Sequence, residues 1–259
     1  MALNFTGNTT RVTHAASATI DNLAALTLMY WCQLPTSPQG QYFAIKDPSA
    51  GTMEWYNSSG DVITFRRARA TSALRLEAAV GNFSAYVAGA WIYVCVIMNS
   101  GGADGDQKLL MGSLTAPAAE PSSYSSRTVG SGALTSESGQ VLDVGAAFNL
   151  ELNGPGAIFH LVNRAMPVAE VQAQRLMPRP VDGSVIFCHY GYNGTGTQPD
   201  WSGKGNSGTV TAATVAAHVP LGPPFGFLGG WKSELAPPAP PAGWAHLLAG
   251  HRNNLVYAP

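Results

Sequence analysis

The amino-acid sequence predicts an all-β protein, built as an antiparallel sandwich or barrel, and three observations carry that reading. Residues 90–99, AWIYVCVIMN, set Trp91, Tyr93, Cys95 and Ile97 on one alternating face and Ile92, Val94, Val96 and Met98 on the other. A strand that is apolar on both faces needs cover on both, so it belongs in the middle of a sheet with a second layer over it. Short alternating runs recur between Gly, Asn and Pro breaks, which is the pattern of sandwiches and barrels and not of βαβ units. Only one stretch, 167–177, reads convincingly as a helix.

In chain order, 3–7 (LNFTG) and 11–14 (RVTH) read as two paired strands, a terminal hairpin. Residues 20–25 form a turn-like link with room for one helical turn. Leu26, Leu28, Tyr30, Cys32 and Leu34 then alternate with Thr27, Met29, Trp31 and Gln33, a second core strand ended by Pro35 and Pro38. A ladder of short strands follows at 41–46, 52–56, 61–67, 73–80 and 83–87. In it Leu74, Leu76, Ala78 and Val80 face inward, and Arg75 and Glu77 meet water. Beyond the central strand, 101–107 is a loop, 108–114 a strand, 115–139 an irregular Ser, Ala, Gly and Pro segment, and 141–152 a strand with a turn. Residues 157–162 are a strand. The helix at 167–177 has Pro167 in its first turn, Glu170 near its start, Arg175 near its end, and Pro178 and Pro180 to stop it. Residues 185–190 complete the core.

From 220 onward the chain changes character. Residues 220–259 hold eight prolines together with Phe225, Trp231 and Trp244, and show neither strand nor helix period. Such a segment is too apolar for a flexible linker and too rich in proline to build a core. It reads as an extended tail that either wraps back over its own domain or docks on a neighbouring subunit. The expected organisation is one domain at 1–219 and this tail.

Composition excludes some partners. With 11% charged residues and a net charge of −1, no long-range field draws in nucleic acid or an anionic membrane. No apolar run approaches the roughly 20 residues that cross a bilayer. Met1 leads straight into strand-like sequence without a basic or apolar leader, so the expectation is a protein made and kept in a cytoplasm, or released by lysis or in a particle. Cys32, Cys95 and Cys188 all fall in apolar runs and read as free buried thiols, with a Cys95 to Cys188 bridge as the alternative.

Four segments together carry a family resemblance: LNFTG, LTLMYWCQLP, AWIYVCVIMN, and GAIFHLVNRAMPVAEVQAQRL at 156–176. Their order resembles the laminin-G-like or concanavalin A-like lectin and glucanase family. Residues 163–171, NRAMPVAEV, stand where that family runs from a late strand into a short helix. DWSGKGNSG at 200–208 is similar to a family turn that often opens such modules, whereas here it lies near the end. The resemblance spans about 1–220 and implies an antiparallel jelly-roll β-sandwich, concanavalin A-like, with one short helix; the proline-rich tail has no counterpart in it.

Many members of that family are glycosidases, which need two carboxylates flanking the scissile bond. The family's E-x-D-x-x-E strand pattern is absent, and the nearest run, Glu151-Leu152-Asn153, lacks the other two acids. There is also no nucleophile elbow, zinc motif or phosphate loop. The six histidines show no ligand spacing, and His160 and His189 in apolar strands read as structural. Calcium, which the resemblance suggests, would take its oxygens from the loop of Asp104 and Asp106 or from that of Asp200 and Asn206; no other cofactor is expected. Sugar binding needs aromatic platforms beside polar groups, a composition found at Trp55 and Tyr56, at Tyr190, Tyr192 and Asn193, and at Trp201. Arg66, Arg67, Arg69 and Arg75 form one basic patch, solvated or facing a subunit. Taken together, these features predict a non-enzymatic structural, decoration or adhesion protein on a phage virion surface, as a capsid decoration, tail or fibre component. It would be a homo-oligomer that touches other virion subunits through the tail. A soluble glycan-binding lectin module is the second reading, and a glycoside hydrolase the third.

Overall fold

The computed structural model describes residues 1–7, 9–35, 40–46, 52–58, 60–147 and 150–221. The tail positions Phe225, Trp231 and Trp244 lie outside these. In chain order the strands are β1 (Ala2–Phe5), β2 (Arg11–His14), β3 (Ala25–Gln33), β4 (Gln41–Lys46), β5 (Met53–Ser58), β6 (Val62–Arg67), β7 (Leu74–Ala79), β8 (Trp91–Asn99), β9 (Lys108–Ser113), β10 (Ser126–Thr128), β11 (Leu142–Val144), β12 (Ala146–Ala147), β13 (Leu150–Glu151), β14 (Gly154–Val162), β15 (Ser184–His189), β16 (Gly208–Thr211) and β17 (Thr214–Ala216), with one α-helix, α1 (Val168–Leu176).

Two antiparallel sheets form the body. One runs β17-β1-β14-β3-β8-β9, with β15 following β1 along the same edge of β14; the other runs β10-β7-β6-β5-β4-β11-β2-β16. Their inner faces share one core. Leu28, Tyr30, Val94, Val96 and Phe159 come from the first sheet, and Phe43, Trp55, Phe65, Leu76 and Val144 from the second. This is the predicted jelly-roll β-sandwich. The doubly apolar strand is β8, which lies one place in from the edge and not at the centre. Its second face is covered by α1: Tyr93 donates to the Val171 carbonyl at 3.4 Å, and Trp31, packed on Tyr93 at 5.4 Å, donates to that of Arg175 at 3.2 Å. The space left between helix and sheet is about 10 Å³, lined by Met29, Trp31, Tyr93 and His160 among others. That is enough for at most one water, so this interface is packing and not a binding site.

Several expectations are corrected. β1 and β2 do not pair with each other; they enter different sheets. Leu3, Phe5 and Val12 all seek the same core, and the turn at Gly7, with φ +121° and the Thr10 amide bonded to its carbonyl at 2.9 Å, carries the chain across. Residues 83–87 are turns that drop Phe83 and Ala85 into the core in place of a ladder strand. Arg175 is buried and donates to the Ser113 and Leu114 carbonyls, so it locks α1 to the end of β9 and does not merely face the helix dipole. The basic patch is dispersed: Arg66 pairs with Glu54, Arg75 with Glu77 and buried Arg67 with Glu137, while Arg69 donates to backbone carbonyls. The three cysteines are free and buried, as expected.

Candidate functional site

β15 ends at His189, and the chain turns immediately afterwards. Gly191, at φ +81°, makes that turn: a Cβ there would lie 2.6 Å from the Ala2 carbonyl oxygen, so only glycine allows the loop to pass this close to β1. Fully buried Gln198 then fixes the loop. Its side-chain oxygen accepts from the Gly191 amide at 2.8 Å, and its nitrogen donates to the carbonyls of Gly194 at 3.1 Å and Gly196 at 2.6 Å. Held this way, Tyr192 stands 43% exposed and Asn193 is exposed beside it.

The next loop is tied to the same strand. The Trp201 amide donates to the Phe187 carbonyl at 2.8 Å, and the Phe187 amide donates to Asp200 Oδ1 at 2.9 Å. This brings the Trp201 ring edge-on to Tyr192, with centroids 5.3 Å apart. Next to the pair, an open cleft of about 220 Å³ is lined by Met1, His189, Tyr192 and His218. The His189 and His218 rings lie parallel, 7° and 6.0 Å apart. Burial is the main cause lowering both imidazoles below their ordinary range; His218 and the Met1 amino group lower His189 further, and the Met1 amino group lowers His218.

Of the residues proposed from sequence as sugar contacts, Tyr192, Asn193 and Trp201 converge here. Trp55 and Tyr190 do not, because both are fully buried: Trp55 packs on Phe43 at 5.0 Å, and Tyr190 stacks on Phe159 at 6.2 Å. A ring with no exposed face cannot receive a sugar, so these two belong to the core. Tyr56 lies on the outer face of the other sheet, stacked on Tyr42 at 5.2 Å next to the Glu54–Arg66 pair. His189 and His218 were not singled out as contacts; they are 29 residues apart, and only the pairing of β17 with β1 brings the second to the first.

The acidic residues suggested for calcium are engaged otherwise. Asp200 accepts four hydrogen bonds, from the amides of Phe187, Ser202 and Asn206 and from the Ser202 hydroxyl, at 2.8–2.9 Å. Its lone pairs are thus directed into the loop that it closes. Asp104 Oδ1 accepts from the Val129 amide at 2.6 Å and Asp106 Oδ2 from that of Ala103 at 2.9 Å, each holding a turn. Among the described residues no three His, Cys, Asp or Glu side chains gather in one place.

No protein-family model matches the chain, and no curated protein does. Solved structures do. The chain is similar to a candidate carbohydrate-binding protein from Bacteroides ovatus ATCC 8483, with a TM-score of 0.55 and 11% identity over 85% of this chain; it spans 61% of that protein's length. It is similar also to a native heptameric SAP-like pentraxin from Limulus polyphemus, with a TM-score of 0.53 and 10% identity over 85% of this chain and 96% of that one. At such identities what is shared is the fold.

Proposed function

We propose that this chain is a non-enzymatic carbohydrate-binding β-sandwich module whose contact surface is the cleft beside Tyr192 and Trp201. The observation that carries this reading is the exposed Tyr192 ring, braced edge-on by Trp201 at the lip of an open cleft. A sugar offers one apolar face and a rim of hydroxyls, and an aromatic platform beside polar groups meets both. The likeness in fold to the Bacteroides candidate carbohydrate-binding protein supports it. Glycoside hydrolysis finds no support here, since no carboxylate is among the described residues lining the cleft and the reaction needs two.

The test is a glycan array probed with the full-length chain and with Tyr192→Ala and Trp201→Ala, with calcium and with chelator. Specific binding that falls by about two- to tenfold in either variant is expected, since an aromatic contact contributes ~0.5–1.5 kcal/mol beyond its buried area. A clean negative on folded protein would refute the reading.

The wider setting proposed for this module is the surface of a virion, with 220–259 as the segment that holds it to other subunits. Its support is the segment's composition, eight prolines with two tryptophans and two phenylalanines.

A further inference from the structure

The cleft has an electrostatic character that the carbohydrate reading alone does not require. His218 Nδ1 lies 2.7 Å from the Val219 carbonyl, which can only accept, so Nδ1 carries the proton and Nε2 is the nitrogen left to take up another. The groups that act on His218 are this carbonyl and the Met1 amino group; no anion is among them. On β15, His189 is flanked by His218, the Met1 amino group and, from β14, His160. Tyr192 adds a phenol. Asp200, on the loop that carries Trp201, has both oxygens engaged by Phe187, Ser202 and Asn206. Among the described residues this wall therefore gathers bases and an aromatic ring in one place and supplies His218 with no counter-charge. At about 220 Å³ it is smaller than the ~300–1,000 Å³ of a pocket for a drug-sized molecule and suits a single ring.

We infer that the cleft selects a sugar residue bearing a carboxylate, with the acid meeting His218 and the ring lying against Tyr192. This rests on the carbohydrate reading above and names its ligand class. An incoming carboxylate supplies the missing counter-charge and favours the imidazolium, so proton uptake and ligand binding reinforce each other. Affinity then rises as the solution is made mildly acidic.

The experiment is calorimetric titration of the full-length chain with a disaccharide ending in glucuronic acid, with its glucose-ended counterpart, and with acetate, at about pH 8 and about pH 6. Far-ultraviolet circular dichroism confirms folding at each pH. The acidic disaccharide is expected to bind about tenfold or more tightly than the neutral one near pH 6, with the margin narrowing toward pH 8. His218→Asn should erase that margin, bringing the acidic and neutral disaccharides to the same affinity at both pH values. Equal affinities with no pH dependence would overturn the inference, as would an acid preference that survives His218→Asn or acetate binding as tightly as the disaccharide. If neutral sugars bind through Tyr192 without any acid preference, only this inference falls; if no sugar binds at all, the carbohydrate reading falls with it.

Discussion

His14 shows how one residue ties the two sheets together. It is fully buried on β2, with Nδ1 2.7 Å from the Asn206 carbonyl and Nε2 3.1 Å from the Tyr190 hydroxyl. The carbonyl fixes the proton on Nδ1, and Tyr190, whose own proton burial holds firmly, donates to Nε2. Both nitrogens being satisfied in the neutral form, burial lowers His14 to about 4 and, similarly, His160 to about 3. In the unfolded chain both titrate near the ordinary 6.5. Between that value and the lowered ones the unfolded chain holds protons that the folded chain refuses, so stability is intact above the window and declines as pH falls through it, by ~1.4 kcal/mol per pH unit per histidine. Urea midpoints measured from about pH 7 to about pH 5 should therefore decline, and His14→Gln should be less stable at neutral pH with a shallower decline. A flat wild-type profile would contradict the assignment. Much at this scale was hidden in the sequence. Trp55 and Tyr56 are adjacent and equally aromatic, and strand alternation sends them to opposite faces; which face is inward is decided by the partners Phe65 and Thr64 on β6. Tyr190 and Tyr192 are separated in the same way, by the turn at Gly191.

At the scale of elements, the long strands and most of the short ones were legible, but the late short strands were not. β3, β8 and β14 run nine residues each, long enough for alternation to declare itself and for β-branched and aromatic residues to accumulate. β16 and β17 are four and three residues of Thr, Val, Ala and Gly, and went unpredicted because so short a run carries no period; they exist because β2 and β1 offer them edges. The irregular stretch 115–139 is likewise more constrained than its composition implied. Glu137 reaches back to Arg67 on β6 at 2.7 and 3.0 Å, takes the Asn22 amide at 3.2 Å, and both charged side chains are almost wholly buried. Removing one charge strands the other, so Arg67→Met should lower unfolding free energy by ~3–5 kcal/mol, whereas Arg67→Met with Glu137→Leu should recover most of the loss. Equal losses in the single and double variants, measured by chemical denaturation, would show that the pair is not acting as a unit.

For the whole molecule, the fold class followed from composition and punctuation, but the candidate site only in part: Tyr192, Asn193 and Trp201 were named from sequence, whereas His218 joins His189 only after β17 has closed on β1. The body that contains it, Met1–Pro220, is one compact unit in its own right. A chain lacking 222–259 should accordingly keep its sugar affinity within about twofold while losing its oligomeric or particle-bound form, followed by calorimetry and light scattering. Loss of sugar binding together with the tail would place part of the contact surface in that segment.

The closing of the sheets also sets a timetable. β1 has β14 and β17 as neighbours, β2 has β11 and β16, and none of these strands precedes Leu142. At ~5–20 residues per second on the ribosome, the first two strands wait on the order of ten to forty seconds for β16 and β17. Until β11 and β14 appear, Leu3, Phe5 and Val12 have no sheet to join, and the outer edges of β1 and β2 stay open until β17 and β16 follow.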